Sequence, residues 1–255
     1  MIYSLIFAAS TIIMQHDTVT PYNTQEDKKE QVAQMFDNIA GRYDLLNSIL
    51  SLGIHKGWRK KCVTILKAKQ PKKILDVATG TGDFAIQCAK LAPESILGID
   101  ISEGMMKYGK EKVKKLNLDS LITFQSGNAE TFSYPDNSFD AIVVGFGVRN
   151  FQDLNQGLSN LHRLLKPGGL LLVLEFSYPR NILVKNFYNF YFSKVTPFIG
   201  RIFSKDTRAY TYLTESVKAF PHNEKFTDIL NTLQFKNTSF RNLSFGIASI
   251  YCGTK

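Results

Sequence analysis

Asp76, Gly80, Gly82 and Asp100 are the residues whose types and spacing point most directly to chemistry. They lie in Lys73-Ile74-Leu75-Asp76-Val77-Ala78-Thr79-Gly80-Thr81-Gly82-Asp83 and, eighteen residues past Gly82, at the end of Ser95-Ile96-Leu97-Gly98-Ile99-Asp100. An apolar strand, a glycine turn, a helix start and a second strand ending in a carboxylate frame a nucleoside-binding site. Glycines let the backbone turn sharply and approach a ligand where a Cβ would collide. An acid about 20 residues on is placed to accept two ribose hydroxyls. Gly80-Thr81-Gly82-Asp83-Phe84-Ala85 also satisfies the G-x-G-x-x-A dinucleotide fingerprint, so the loop alone leaves a dehydrogenase open.

The acidic start separates the two readings. Asp76-x-Ala78-x-Gly80-x-Gly82 resembles the D/E-x-G-x-G-x-G loop of S-adenosylmethionine-dependent methyltransferases, with Ala78 in the first glycine's place. Leu164-Leu165-Lys166-Pro167-Gly168-Gly169, followed by the apolar run Leu170 to Leu174, resembles the helix, turn and fifth strand of that superfamily. The resemblance implies S-adenosylmethionine as cofactor and a Rossmann-like α/β fold.

The elements that must position these residues follow from periodicity. Val32, Met35, Phe36 and Ile39 fall at i, i+3, i+4 and i+7, which predicts an amphipathic helix over 27–40, and a second helical stretch runs from about 45 to 66. Strands are expected at 74–77, 95–99, 121–125, 139–144 and 170–176, with helices at 83–91, 103–116 and 154–165. A final helix near 223–233 and strands at about 236–242 and 246–252 close the chain. The alternation argues a mainly parallel seven-stranded sheet covered on both faces, with N-terminal helices and a helical insertion before the last helix and two strands. We expect a leader over 1–26 that is poorly ordered, then one domain over 27–255 with a helical lid at 27–70 and an aromatic-rich insertion at 180–215. Ile2 to Ile13 is apolar but shorter than the roughly 20 residues that span a bilayer, and it lacks a basic flank. Met14 follows, so an upstream mis-start over 1–13 is the favoured reading, with a short membrane tether as the other.

In open α/β sheets ligands bind outside the carboxyl ends of the strands. Thr81 and the loop amides then face the methionine part of the cofactor, Asp76, Gly80 and Gly82 shape the loop, and Asp100 takes the ribose. Asn128 and Ala129 meet the adenine, or Asn128 is only a turn residue. Gly145 and Gly147 let the chain pass under the sulfonium, which Phe146 touches unless it is a core residue. Asp83 is read as a cap for the following helix.

Thirty-one basic against 22 acidic side chains give +9. The excess concentrates in 56–73 and 180–208, which suits nucleic acid, an anionic membrane surface, an anionic ligand or simply a solvated face. Cys62, Cys88 and Cys252 are odd in number and far apart, and the four histidines are scattered. Neither disulfides nor a metal site is supported, and the thiols are read as reduced, in a cytoplasmic protein.

Phe36-Asp37-Asn38-Ile39-Ala40-Gly41-Arg42-Tyr43-Asp44-Leu45-Leu46-Asn47, with Leu50-Ser51-Leu52-Gly53-Ile54-His55-Lys56-Gly57-Trp58-Arg59, resembles the N-terminal signature of the quinone-biosynthesis C-methyltransferases. Pro135 to Asp140 through Phe146-Gly147-Val148-Arg149-Asn150-Phe151 resembles their second signature, and Leu174-Glu175-Phe176-Ser177-Tyr178-Pro179 and Phe245-Gly246-Ile247-Ala248 also fit. The resemblance implies ring C-methylation of a prenylated quinol, with demethylmenaquinol favoured over the methoxy-benzoquinol precursor of ubiquinol. Phenols ionise near pKa 10, so the site must favour the phenolate. Arg149 is the candidate for stabilising it or holding a water that takes the proton, because an arginine is not itself a base. Asn150 and Tyr43 complete the polar cluster. For Arg149 a salt bridge to Asp44 or Asp37 is the alternative, and for Tyr43 a core position. His55 and Trp58 either line the lid or pack within it. The insertion aromatics either cover a polyprenyl tail or pack extra helices, with Lys185, Lys194, Arg201 and Arg208 against lipid headgroups in the first case.

The expected partners are thus a prenylated quinol and a peripheral contact with the inner membrane face, with no nucleic acid; a homodimer is a further option. An RNA methyltransferase would suit the charge, but the chain has no appended RNA-binding module, catalytic Cys motif or Asn/Asp-Pro-Pro-aromatic tetrapeptide. A non-catalytic scaffold would not need an intact Asp76, Gly80, Gly82, Asp100 and Arg149.

Overall fold

A computed structural model describes residues 16–22, 24–191 and 208–255. The expectations for residues 1–13 and for 192–207 of the insertion lie outside the described residues. Helices α1 (Lys28–Ile39), α2 (Tyr43–Leu50) and α3 (Ile54–Lys67) precede an alternating core of β1 (Lys73–Val77), α4 (Asp83–Cys88), β2 (Ser95–Asp100), α5 (Glu103–Lys115), β3 (Ile122–Ser126), β4 (Phe139–Gly145), α6 (Leu154–Leu164) and β5 (Leu165–Phe176). Then come α7 (Ile182–Phe190), α8 (Arg208–Ala219), α9 (Glu224–Thr232), β6 (Lys236–Leu243) and β7 (Ala248–Thr254).

The seven strands form one sheet in the order β3-β2-β1-β4-β5-β7-β6, parallel except for β7, which runs antiparallel to both neighbours. Alternation along the strands splits the core. Leu75, Val77, Ile142, Val144, Leu171 and Val173 pack with α6 and α9 in one cluster. Ile74, Ile96, Ala141, Val143, Leu172 and Leu174 pack with α3 and α4 in the other. A parallel sheet buried on both faces has this continuous apolar reading. The order reverses between β1 and β4, so the crevice lies at their carboxyl ends, where the glycine loop emerges.

Three boundaries differ from expectation. The stretch expected as one helix at 45–66 is two, because Ser51-Leu52-Gly53 interrupts it and Gly53 has φ +74°, outside the helical region. Strand β5 begins earlier than 170: Leu165 pairs with Phe139, and pairing resumes at Leu170 with Ala141, so Lys-Pro-Gly-Gly is a long bulge within the strand. The described part of the leader is not loose. His16 is buried and its Nε2 donates to the Arg149 carbonyl (2.7 Å), while Lys28 donates to the His16 carbonyl (2.9 Å). These two bonds fasten His16 to the turn after β4 and to the start of α1, and Val19 and Tyr22 pack against the cluster of Val32, Met35 and Tyr212.

Candidate active site

The β1 loop is held by its own carboxylates. Asp76 accepts from Thr79 Oγ1 (2.7 Å) and from the Ala85 amide (3.0 Å) through one oxygen. Its other oxygen, Oδ1, is buried without a hydrogen-bond partner among the described residues. Burial pushes the Asp76 carboxyl up to about 7. Asp100 joins loop to strand: one oxygen accepts the Gly80 amide (2.7 Å) and the other the Ser102 amide (2.8 Å). Burial raises it to about 6, while those amides pull it down. Gly80 (φ +56°) and Gly82 (φ +76°) take the left-handed conformation, and so does Ala78 (φ +53°), which explains why a glycine suits that place in the loop pattern.

Gly80, Asp100, Asn128, Ala129, Gly145 and Asn150 line one cleft over this loop, as the strand-end argument expects. Asn128 uses its carboxamide oxygen to accept the Glu130 amide (3.0 Å), making a turn of its own, and its side-chain amide also hydrogen-bonds the Glu130 carboxyl beside the cleft. Asp76, Thr81 and Gly82 do not line the cleft. Thr81 donates instead to Asp44 of α2 (2.6 Å), so its hydroxyl ties the loop to the lid. Asp83 does not cap its helix through its side chain; it pairs with Lys112 (2.8 Å) and Arg59 (3.3 Å). These two cations hold its carboxyl below the usual range against the opposing effect of burial.

Beside the cleft lies an apolar cavity of about 240 Å³, bounded by the lid helices, by Trp58, Phe176, Tyr188 and Tyr191, and by Ser244 and Ile247 before β7. Phe36, Tyr43 and Phe146 line both spaces and so form the wall between them. Phe146 sits at φ +61°, a strained conformation for an aromatic residue and one that clusters at functional sites. Its carbonyl is held by Arg149 Nη1 (2.5 Å) and Asn150 Nδ2 (3.4 Å). Tyr212 in turn donates to the Asn150 carboxamide oxygen (3.2 Å). Burial raises the Tyr43 hydroxyl above the usual phenol value, with Asn47 opposing.

Arg149 also lines the cavity, but its ionic partner is neither Asp44 nor Asp37. Nη1 donates to Glu175 Oε1 (2.8 Å), which is fully buried at the end of β5. Burial raises the Glu175 carboxyl and Arg149 pulls it back. The guanidinium therefore acts as part of a neutral pair that clamps the Phe146 turn, with Nε left without a partner among the described residues. Asp44 pairs with Lys112 (2.6 Å), and Asp37 accepts Ser102 Oγ (2.6 Å) and the Gly104 amide (2.9 Å) at the start of α5. The N-terminal signature thus divides its work: Phe36 and Tyr43 form the wall, while Asp37 and Asp44 latch the lid onto α5. Among the described residues no His, Cys, Asp or Glu cluster could hold a metal ion, and no helix is long and apolar enough to cross a membrane.

Residues 24–255 match the family described as the ubiE/COQ5 methyltransferase family. The chain is 48% identical over 240 residues, covering 94% of it and 98% of the relative, to the demethylmenaquinone methyltransferase of Bacteroides fragilis. It is 44% identical, over 93% of each chain, to the ubiquinone/menaquinone biosynthesis C-methyltransferase UbiE of Geobacter sulfurreducens. The fold is similar to a solved SAM-dependent methyltransferase of Thermotoga maritima (TM-score 0.59, 20% identity, 87% of this chain and 99% of that one).

Proposed function

The chain belongs to the ubiE/COQ5 methyltransferase family, and from that premise we propose that it C-methylates a reduced polyprenyl quinone precursor, demethylmenaquinol, with S-adenosylmethionine. One observation carries the reading. A cleft on the glycine loop that carries Asp100, Asn128, Glu130 and Asn150 and an apolar cavity of about 240 Å³ share a wall of three side chains, so a nucleoside and a hydrophobic ring can meet there.

The residues present fit the cofactor. Asp100 keeps lone pairs on both oxygens beyond the two amides it accepts, which suits a ribose diol. The unpaired Oδ1 of Asp76 is a buried acceptor beside the same loop, a site where an ammonium would be satisfied. Asn128 and the backbone of Ala129 are placed for the adenine edge. When bound, the cofactor supplies an electrophilic methyl on a sulfonium. The protein's part is to position the acceptor carbon and exclude water. Tyr43, Arg149 and Asn150 are the groups we assign to the quinol oxygen: Tyr43 through its hydroxyl, and Arg149 through the donors not spent on Glu175. Asn150 holds the Phe146 carbonyl and faces the cleft side of the wall. With Glu175 cancelling its charge, Arg149 favours the phenolate by hydrogen bonding more than by net field.

The prenyl tail accounts for a second surface. Leu52, Ile54 and Phe245 are exposed where the chain borders the cavity, and Leu183 and Phe190 of α7 add to the apolar exposure. Lys56 and Lys185 flank these residues in sequence. We infer that this rim rests on an anionic bilayer, from which the tail enters. Failure to pellet with anionic liposomes at low salt would remove that inference.

The reaction is tested by giving the purified protein S-adenosylmethionine with reduced short-chain demethylmenaquinol or with the demethylated benzoquinol. A 14-dalton gain on the naphthoquinol supports the proposal. A gain only on the benzoquinol moves the enzyme to the ubiquinone reaction, and no gain on either, with the cofactor bound, rejects it.

A further inference from the structure

Ring methylation leaves one proton to be removed, and the cavity contains a side chain suited to take it. When the ring carbon uses its electron pair to bond the methyl group, that carbon becomes tetrahedral and still carries its hydrogen. Breaking this carbon–hydrogen bond returns the electron pair to the ring and restores aromaticity. The proton then needs a lone-pair base within reach of the ring.

His55 lines the apolar cavity on α3, one turn before Arg59 and three residues before Trp58. Trp58 packs against Phe146 (6.1 Å between ring centroids), and the Arg59 guanidinium lies 5.8 Å from the Phe146 ring centre. Residues three and four apart share a helix face, so His55 is on the side of α3 turned to the wall between cleft and cavity. Its tautomer follows from the hydrogen bonds. Ser51 has one hydroxyl proton and donates it to the Asn47 carbonyl (2.5 Å), so toward His55 Nδ1 the Ser51 oxygen accepts. The imidazole proton is therefore on Nδ1, and Nε2 carries the lone pair. Nε2 has no hydrogen-bond partner among the described residues.

Elimination points the same way. The other titratable side chains described around the cavity are tyrosines, all held protonated by burial, and Arg59 and Arg149, which have no lone pair to offer. No carboxylate among the described residues lines it. Burial, with Arg59 nearby, pushes the His55 imidazole down to about 4, so it is neutral and a base at pH 7. A weak base is enough here, because rearomatisation makes the ring proton strongly acidic.

Resting on the proposed quinol reaction, we propose that His55 is a catalytic residue whose Nε2 accepts the ring proton after methylation and passes it to water. Ser51 is then a positioning residue that fixes the tautomer. The test uses demethylmenaquinol deuterated at the methylated carbon. His55→Asn keeps an N–H donor for Ser51 and removes the Nε2 base; His55→Gln places a carboxamide near the Nε2 position. Both are expected to lower kcat by about 10²–10⁴-fold, to leave cofactor affinity and melting temperature near wild type, to develop a primary deuterium isotope effect and to recover turnover with added imidazole. On the wild-type protein, carbethoxylation mapped to His55 should abolish turnover and be prevented by bound quinone. Turnover by either folded variant at the wild-type rate without an isotope effect, or turnover by protein fully modified at His55, overturns the assignment. Absence of methylation by the wild type rejects the quinol reading instead, so the two failures are distinguishable.

Discussion

Replacing Glu175 with alanine is expected to cost more than any surface ion pair could. The carboxylate is fully buried and its partner, Arg149, is 7% exposed, so neither charge has water to fall back on. Removing one member of such a pair leaves the other charge uncompensated and costs about 3–5 kcal/mol, against about 0–1 kcal/mol for an exposed pair. The loss also frees Arg149, whose Nη1 holds the Phe146 carbonyl in its strained turn. For a chain of this size each kcal/mol shifts the melting temperature by about 2–4 °C, so scanning calorimetry with urea unfolding should register a drop of about 6–20 °C. Glu175→Gln keeps an oxygen for the Phe176 amide and should cost less. Glu175→Leu combined with Arg149→Met removes both charges and should regain most of the stability. It should not regain methyl transfer, because Phe146 has lost its clamp. A cost for Glu175→Ala below about 1 kcal/mol, the surface-pair range, would refute the argument that this pair anchors the wall.

Other outcomes follow from the same geometry. A Cβ at Gly147 would sit 2.5 Å from Ala78 Cβ and 3.0 Å from Val144 Cγ1, so Gly147→Ala should destabilise by about 1–3 kcal/mol, and Ala78→Gly in the same chain should return part of it, measured by urea unfolding. Asp76 and Asp100 have folded pKa values raised by burial to about 7 and about 6, above the unfolded value near 3.9. Their contribution to stability is therefore complete below about pH 4 and lost as pH rises through 6 and 7, visible as a falling melting temperature that Asp100→Asn makes shallower. Cofactor affinity should run the opposite way, weakening below about pH 6 as Asp100 gains a proton, which titration calorimetry reads directly. Asp37→Ala removes the acceptor at the start of α5 and should cost about 0.5–2 kcal/mol while speeding proteolysis within α1 and α2.

Much of the cleft was legible because its residues follow strands with clear apolar runs. Gly80, Asp100, Asn128, Ala129, Gly145 and Asn150 come together for that reason. Thr81 did not behave as expected because its partner is Asp44, 37 residues earlier on a lid helix whose docking no local pattern encodes. Asp37 and Asp44 were expected, if paired at all, to meet Arg149, because nothing local shows that α5 stands opposite them. The Arg149 partner was missed although a signal existed. Glu175 is the one charged residue in the apolar run from Leu170 to Phe176, and a buried acid in such a strand calls for a cation. Gly53 likewise carried the break between α2 and α3, outweighed by the helical periodicity on either side.

The central claim is that the glycine-loop cleft and the apolar cavity form one reaction chamber divided by Phe36, Tyr43 and Phe146. It is tested most directly by a structure of the protein with S-adenosylhomocysteine and a short-chain demethylmenaquinone bound together. The account predicts the nucleoside ribose on Asp100, the quinone ring against Tyr43 and Phe146, and the cofactor sulfur and acceptor carbon separated by the span of one methyl group. A quinone seated outside the cavity, or a nucleoside that leaves Asp100 untouched, would contradict it.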